Sequence, residues 1–208
     1  MKLLLALTGI GFLLFPPLVD ATNFKKLRNS VKALSVMEGE TAHNICTVNG
    51  INQSKHYWLT AAHCVSDLNT KYYVAGAEAY VVMRDTPNDL AIIRTDALTV
   101  PALKLAKKGP LMGDFIAVFG FPFGWLDPIY SAGVVMNAKM QPWPEGENGW
   151  DAYWMLISAQ GAPGNSGSAV LNNKDEIVSV VQIGWGRSWS VLGSVPFDLL
   201  AQYRSYWN

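Results

Sequence analysis

The chain has 208 residues, half of them hydrophobic, and balances 16 Lys+Arg against 16 Asp+Glu for a formal net charge of zero. This length allows a large core but not several unrelated domains, and the balanced charge with no basic run argues against a nucleic-acid or anionic-membrane surface. With 18 Gly and 11 Pro scattered between short apolar runs, the composition suits strands and turns better than a helical bundle.

The N-terminus reads as an export signal. Met1-Lys2 gives a positive start, Leu3 to Phe15 is apolar, and Pro16 to Ala21 offers small or aliphatic residues, with cleavage expected after Ala21. About thirteen apolar residues fall short of the roughly twenty that cross a bilayer, so no stable membrane insertion is expected. The protein is accordingly expected to be secreted or periplasmic. Export also bears on Cys46 and Cys64, the chain's two cysteines: an oxidising compartment would let them pair, with two buried free thiols as the alternative.

Beyond the signal, Phe24, Leu27, Val31 and Leu34 recur at three- and four-residue spacing, which predicts an amphipathic helix over Thr22 to Met37. From Asn44 to Val191 the pattern changes to β-branched and aromatic runs separated by turn residues. Tyr72–Val74, Tyr80–Met83, Leu90–Ile93, Phe115–Phe119, Gly133–Val135, Tyr153–Ile157 and Ile177–Ile183 are predicted strands of an antiparallel β-protein. Ser194-Val195-Pro196 offers a cap and an early-turn proline, and Phe197, Leu200, Tyr203 and Trp207 follow with helical period, so one C-terminal helix is expected.

Three phrases carry chemistry: Leu59-Thr60-Ala61-Ala62-His63-Cys64, Asn88-Asp89-Leu90-Ala91-Ile92-Ile93 and Gly164-Asn165-Ser166-Gly167-Ser168. A serine hydroxyl is a poor nucleophile at neutral pH and needs a base within reach; a histidine, with an ordinary pKa near 6.5, takes the proton and returns it to a leaving group. A carboxylate fixes the imidazole tautomer and stabilises the imidazolium. In the order His63, Asp89, Ser166 the chain supplies all three. Glycines at 164 and 167 permit a tight turn that aims the N–H groups of Gly164 and Ser166 at a developing oxyanion. Asp85 and Asp96 compete with Asp89, which is favoured because an apolar strand follows it directly. His43 and His56 lack the flanking phrase and are read as structural or surface residues.

On these phrases the chain resembles trypsin/chymotrypsin-like serine proteases, from Asn44 to Trp207. The resemblance implies an all-β fold of two antiparallel six-stranded β-barrels (chymotrypsin-like) with a C-terminal α-helix. It places His63 and Asp89 on the first barrel and Ser166 on the second, in one protease domain over residues 22–208, with the barrels meeting near Pro101 to Pro110. It also implies a Cys46–Cys64 disulfide and a secreted serine endopeptidase working through an acyl-enzyme. An α/β-hydrolase is excluded: the order of its triad is Ser, Asp/Glu, His, its phrase is G-x-S-x-G, and here Ser168 stands two after Ser166 with no histidine beyond His63.

Departures from digestive trypsins narrow the branch. Asn165 stands where those enzymes carry the aspartate that pairs with a newly cut N-terminus, so a protease active without propeptide cleavage is expected. Asn165, Pro163, Gly120 to Gly124 and Ser131 to Val135 resemble bacterial HtrA-type proteases, and Gly164 to Ser168 also resembles glutamyl endopeptidases; no room is expected for a PDZ domain. Counting from Ser166, Gln160 is expected at the base of the primary pocket and Gln182-Ile183-Gly184 along the substrate backbone. Gln160 gives no counter-charge for Arg or Lys, and Val181 replaces the histidine of glutamyl specificity, so a neutral or apolar side chain is expected at the cleavage position. Gln141 to Trp154 is expected to be a long loop beside the cleft, with Glu145, Glu147 and Asp151 solvated, their spacing matching no EF-hand, and Trp143, Trp150 and Trp154 in the core or cleft wall. No metal and no cofactor are expected, the partner is a polypeptide substrate without nucleic acid, and a monomer is favoured. The alternative is a catalytically inactive trypsin-fold protein that binds peptides.

Overall fold

A computed structural model of the chain describes residues 21–96, 98, 101–140, 153–185 and 190–208. The expected signal segment, apart from Ala21, and the loop expected from Gln141, as far as residue 152, lie outside the described residues. Strands dominate. In chain order they are β1 (Val31–Glu38), β2 (Thr41–Asn52), β3 (Tyr57–Thr60), β4 (Tyr72–Val74), β5 (Ala77–Asp85) and β6 (Leu90–Thr95), then β7 (Phe115–Gly120), β8 (Ile129–Met140), β9 (Trp154–Ile157), β10 (Ala169–Leu171), β11 (Ile177–Trp185) and β12 (Val191–Ser194). The first six close an antiparallel barrel in the order β1-β2-β3-β6-β5-β4, and the second six close another in the order β10-β11-β12-β9-β8-β7. The fold is the expected chymotrypsin-like pair of six-stranded barrels with a C-terminal helix.

The helix expected over Thr22 to Met37 is half right. Helix α1 spans Ala21–Ser30, and the chain then extends into β1, which pairs with β2 from Val31↔Asn49 to Glu38↔Thr41 and with β4 from Leu34↔Val74 to Val36↔Tyr72. Leu27, Val31 and Leu34 are all fully buried while Phe24 is exposed, so three of the four apolar positions were read correctly and their period was not. The bonds of β1 to two neighbouring strands, together with β-branched Val31 and Val36, override a local helical spacing. Strands β1, β2, β3, β10 and β12 carried no separate signal of their own.

Each barrel has its own core. Leu34, Val48, Trp58, Ala91 and Ile93 fill the first, and Ile116, Met155, Ile157, Val170 and Leu192 the second. A third cluster joins them, with Leu59, Leu90 and Ile92 from the first barrel against Phe119, Leu171, Val180 and Leu200. Between β6 and β7, Leu103 and Leu105 are buried, the Leu103 N–H donates to Gly50 O at 2.8 Å, and Leu105 bridges to Ile177. The connection thereby touches both barrels. Among the described residues no helix is long and apolar enough to cross a membrane.

Cys46 and Cys64 form a disulfide across a separation of 18 residues. Both sulfurs sit inside the first barrel's core, so the link ties β2 to the 3-10 turn Ala62–Val65 that carries His63. Closing a loop of that size contributes about 3 kcal/mol in the chain-entropy account. A Cys46→Ser/Cys64→Ser double variant is expected to lose about that much stability in urea unfolding, with an unchanged midpoint as the contrary result.

The C-terminal segment begins as α2 (Phe197–Leu200) and tightens into a 3-10 helix, Ala201–Trp207. The expected serine cap is not used. Ser194 belongs to β12, where its hydroxyl donates to Met155 O at 3.1 Å, and Pro196 occupies the cap position without a side-chain bond. The segment lies across the inter-barrel seam: Trp207 Nε1 donates to Leu103 O at 3.1 Å, Arg204 Nη2 to Ala106 O at 2.9 Å, and the Tyr203 hydroxyl to Asp85 Oδ2.

Burial pushes the Tyr203 phenol up, the Asp85 bond adds to it, and the group titrates at about 12. Burial alone would raise Asp85, yet its bonds from Tyr203 and Asn88 leave it below the usual carboxylate range. The signs fix both pH limits. A raised tyrosine contributes stability that is complete below its unfolded value near 10 and disappears as pH rises through about 12. A depressed aspartate contributes stability above its unfolded value, lost as pH falls through its folded one. Tyr203→Phe is therefore expected to flatten the pH dependence of thermal unfolding at both ends, and an unaltered profile would refute the coupling.

Candidate active site

Asp89 sits in the turn between β5 and β6 with φ 48°, a left-handed conformation that costs a non-glycine residue about 1–3 kcal/mol unless its surroundings enforce it. They do. The Asp89 N–H donates to Thr86 O at 3.2 Å, and Asp89 O accepts from the Ala62 N–H at 3.1 Å and from Gln182 Nε2 at 3.3 Å. Asp85 braces the turn by accepting from the Asn88 N–H and Asn88 Nδ2, at 3.2 and 2.6 Å. The result is a side chain only 6% exposed, its carboxylate aimed at His63.

The two residues meet twice. Asp89 Oδ2 lies 2.7 Å from His63 Nδ1, and Asp89 Oδ1 accepts from the His63 main-chain N–H at 2.8 Å. The buried carboxylate fixes both ring and backbone of a histidine whose side chain keeps 38% exposure toward the cleft. Of the competing carboxylates, Asp85 is engaged with Asn88 and Tyr203, and Asp96 pairs with Arg94. His43 lies 3.3 Å from Glu38, and His56 Nδ1 bonds to Leu98 O, both away from this pair.

Ser166 lies on the second barrel, in the turn before β10. Peptide units are planar and trans, so a held carbonyl aims the N–H of the same unit the opposite way. Pro163 O accepts from the Phe123 N–H at 2.6 Å, and Asn165 O from the Ser168 N–H at 2.9 Å. Their units present the N–H groups of Gly164 and Ser166, which have no partner among the described residues. The two alternate units are bonded at both ends: Gly164 O accepts from Thr47 Oγ1 at 3.0 Å while the Asn165 N–H donates to Ala162 O at 3.0 Å, and Ser166 O accepts from the Thr47 N–H at 2.9 Å while the Gly167 N–H donates to Val181 O at 2.8 Å. Both residues are half-buried, and two N–H groups presented side by side from one turn can receive an anionic oxygen.

Glycine is required at both ends of this turn. Gly164 has φ +97° and a Cβ there would stand 2.5 Å from Phe121 O; Gly167 has φ +83° and its Cβ would stand 2.2 Å from Thr47 O and 2.3 Å from Thr60 Oγ1. These close approaches bring the turn against the strand that leads into the histidine segment. The Ser166 hydroxyl is directed at Gln182 O, 3.4 Å away, and Gln182 Nε2 reaches back to Asn88 O at 2.5 Å. The serine, the aspartate turn and β11 share one neighbourhood.

The other residues singled out in the sequence surround it. Gln160 is exposed, with its N–H on Ser131 Oγ at 2.8 Å. Gln182 is buried, whereas Ile183 and Gly184 are half-buried. β10 accompanies β11 only as far as Val180, and no described strand covers that edge beyond it. Asn165 is 6% exposed, an uncharged amide beneath the turn. Cys46, His63 and Cys64 lie close together, but the cysteines are bonded to each other and offer no metal thiolates.

Sequence reasoning missed two buried residues of β2. Besides Thr47, Asn49 donates through Nδ2 to Gly167 O at 2.6 Å and to Leu59 O at 3.1 Å, and accepts the Ala169 N–H at 3.1 Å. A polar Thr-Val-Asn alternation inside an apolar strand was the available signal, since a buried amide must find partners.

Residues 48–180 match the model of the trypsin-like peptidase domain family. Among curated proteins, the chain is 29% identical over 156 residues to a "Probable periplasmic serine endoprotease DegP-like" of Ectopseudomonas mendocina, covering 70% of this chain and 31% of the relative. It is 30% identical over 159 residues to a protein of the same name from Pseudomonas putida, covering 72% and 32%. The chain thus spans about a third of the length of these relatives. Among solved structures, the active form of the Rv3671c protease of M. tuberculosis superposes with a TM-score of 0.70 at 19% identity, over 88% of this chain and 85% of that one. The HtrA-type protease AlgW with a tripeptide superposes with 0.72 at 19% identity, over 88% and 62%.

Proposed function

Because this chain belongs to the trypsin-like peptidase family, we propose that it is a secreted serine endopeptidase in which His63, Asp89 and Ser166 form the catalytic triad. Ser166 Oγ attacks the scissile carbonyl and passes its proton to His63 Nε2. Asp89 holds the Nδ1–H tautomer and balances the imidazolium. The N–H groups of Gly164 and Ser166 receive the oxyanion, His63 protonates the leaving amine, and water then releases the acyl group by the same route. The observation that carries this reading is the nucleophile turn, where the N–H groups of Gly164 and Ser166 have no partner among the described residues and Gln182 links the Ser166 hydroxyl to the turn of the aspartate that holds His63.

Substrate backbone adds along the uncovered edge of β11 at Gln182, Ile183 and Gly184. Gln160 supplies no charge to the primary pocket, which favours a neutral or apolar side chain at the cleavage position. The buried Asn165 cannot make the aspartate–amine pair that switches on digestive zymogens, so the domain works without propeptide cleavage. An extracytoplasmic location is supported by the apolar N-terminal run after Lys2, by the Cys46–Cys64 disulfide, and by relatives that carry a periplasmic name.

A fluorophosphonate probe tests the reading, because an activated serine displaces its fluoride far faster than an ordinary hydroxyl does. The folded protein is expected to take up one adduct, mapped to the peptide containing Ser166. A folded protein that remains unlabelled would instead be an inactive peptide-binding homologue.

A further inference from the structure

We infer that Thr47, on the first barrel, is a positioning residue for the oxyanion-binding turn of the second barrel, acting through its hydroxyl. This rests on the serine-peptidase reading above. Thr47 is fully buried and every polar group it has is used across the inter-barrel seam or beside it. Its N–H donates to Ser166 O at 2.9 Å, its Oγ1 donates to Gly164 O at 3.0 Å and accepts the Phe121 N–H at 2.9 Å, and its own carbonyl accepts Thr60 Oγ1 at 2.8 Å.

Those contacts reach both supports of the two free N–H groups. The carbonyls of Gly164 and Ser166 follow the Gly164 and Ser166 N–H groups on the same residues, and Thr47 fixes both. The Phe121 N–H fixes the start of the turn Pro122–Gly124, whose Phe123 N–H holds Pro163 O and so turns the Gly164 N–H outward. One hydroxyl thus joins the nucleophile turn to the turn that braces it. Without it, Gly164 O and the Phe121 N–H become buried groups with no partner, and a peptide rotation that points the Gly164 N–H elsewhere is no longer opposed. The His63–Asp89 pair lies on other elements and keeps its bonds.

The geometry separates positioning from simple stability. Thr47→Val keeps the shape and removes the hydroxyl; Thr47→Ser keeps the hydroxyl. The rate constant for fluorophosphonate labelling, normalised to the labelled end point, is expected to fall about ten- to a hundredfold in Thr47→Val, the scale of a weakened oxyanion donor. Thr47→Ser is expected to stay close to wild type. The pH midpoint of labelling should be unchanged, because the base is untouched, and amide exchange at Asn165 and Gly167 should quicken in the valine variant. A purely structural residue would lower the labelled end point and leave the normalised rate intact. Thr47→Ala carries the same expectation and stands in should the valine variant not fold. Equal rates in valine and serine variants, or unaltered exchange, would overturn the inference. Should the folded wild type fail to label, the peptidase reading falls, and exchange at Asn165 and Gly167 alone decides whether Thr47 holds the turn.

Discussion

Ser166→Ala is expected to lower peptide turnover by about 10⁶-fold while leaving substrate affinity nearly unchanged. The hydroxyl has no substitute nearby. Gln182 O, 3.4 Å from it, is an acceptor and cannot attack a carbonyl. The main-chain apparatus survives the substitution, because the Gly164 and Ser166 N–H groups are set by bonds to Phe123, Ser168 and Thr47 that involve no Ser166 side chain. A residual rate about 10³–10⁴ above the uncatalysed reaction is therefore expected from binding and oxyanion stabilisation. Steady-state kinetics with calorimetric binding of the same peptide separates these quantities. Turnover above a hundredth of wild type would mean that another group is the nucleophile.

Asp89→Asn is expected to cost about 10⁴ in kcat with little loss of stability, and the reason lies in the second bond of the carboxylate. Asp89 Oδ1 accepts the His63 main-chain N–H at 2.8 Å, a donor that cannot change. An asparagine must keep its oxygen there and turn its NH₂ toward His63 Nδ1. Nδ1 then becomes an acceptor, the ring proton moves to Nε2, and the nitrogen facing Ser166 can no longer take a proton. The backbone thus selects the unproductive tautomer. Kinetics and thermal unfolding of the variant check this together; near-wild-type turnover would show that Asp89 does not set the tautomer.

The main features of the site were legible because the chemistry is written in short phrases. The residues around His63, Asp89 and Ser166 could be read locally, and so could the choice of Asp89 over Asp85 and Asp96, since an apolar strand following the carboxylate predicts its burial. Strand runs such as Phe115–Phe119 and Ile177–Ile183 announced themselves by composition. What escaped depends on partners distant in sequence. β1 looks helical until its pairing with β2 and β4 is known, and Ser194 looks like a cap until β12 is seen beside β9. Thr47 resembles any strand threonine: its partners Gly164 and Phe121 lie 117 and 74 positions away. Periodicity records which side of the chain is apolar, but it does not identify what that side meets.

The disulfide has a further consequence by virtue of its neighbours. Cys46 immediately precedes Thr47, and Cys64 immediately follows His63. One end of the covalent link adjoins the residue bonded to the Gly164–Ser166 turn; the other adjoins the histidine held by Asp89. Displacement at either end is conveyed to the other through a span of 6.1 Å between Cα atoms. Oxidation of this one pair therefore joins, by covalent bonds within the first barrel alone, the backbone beside a threonine bonded to the second barrel and the backbone beside His63.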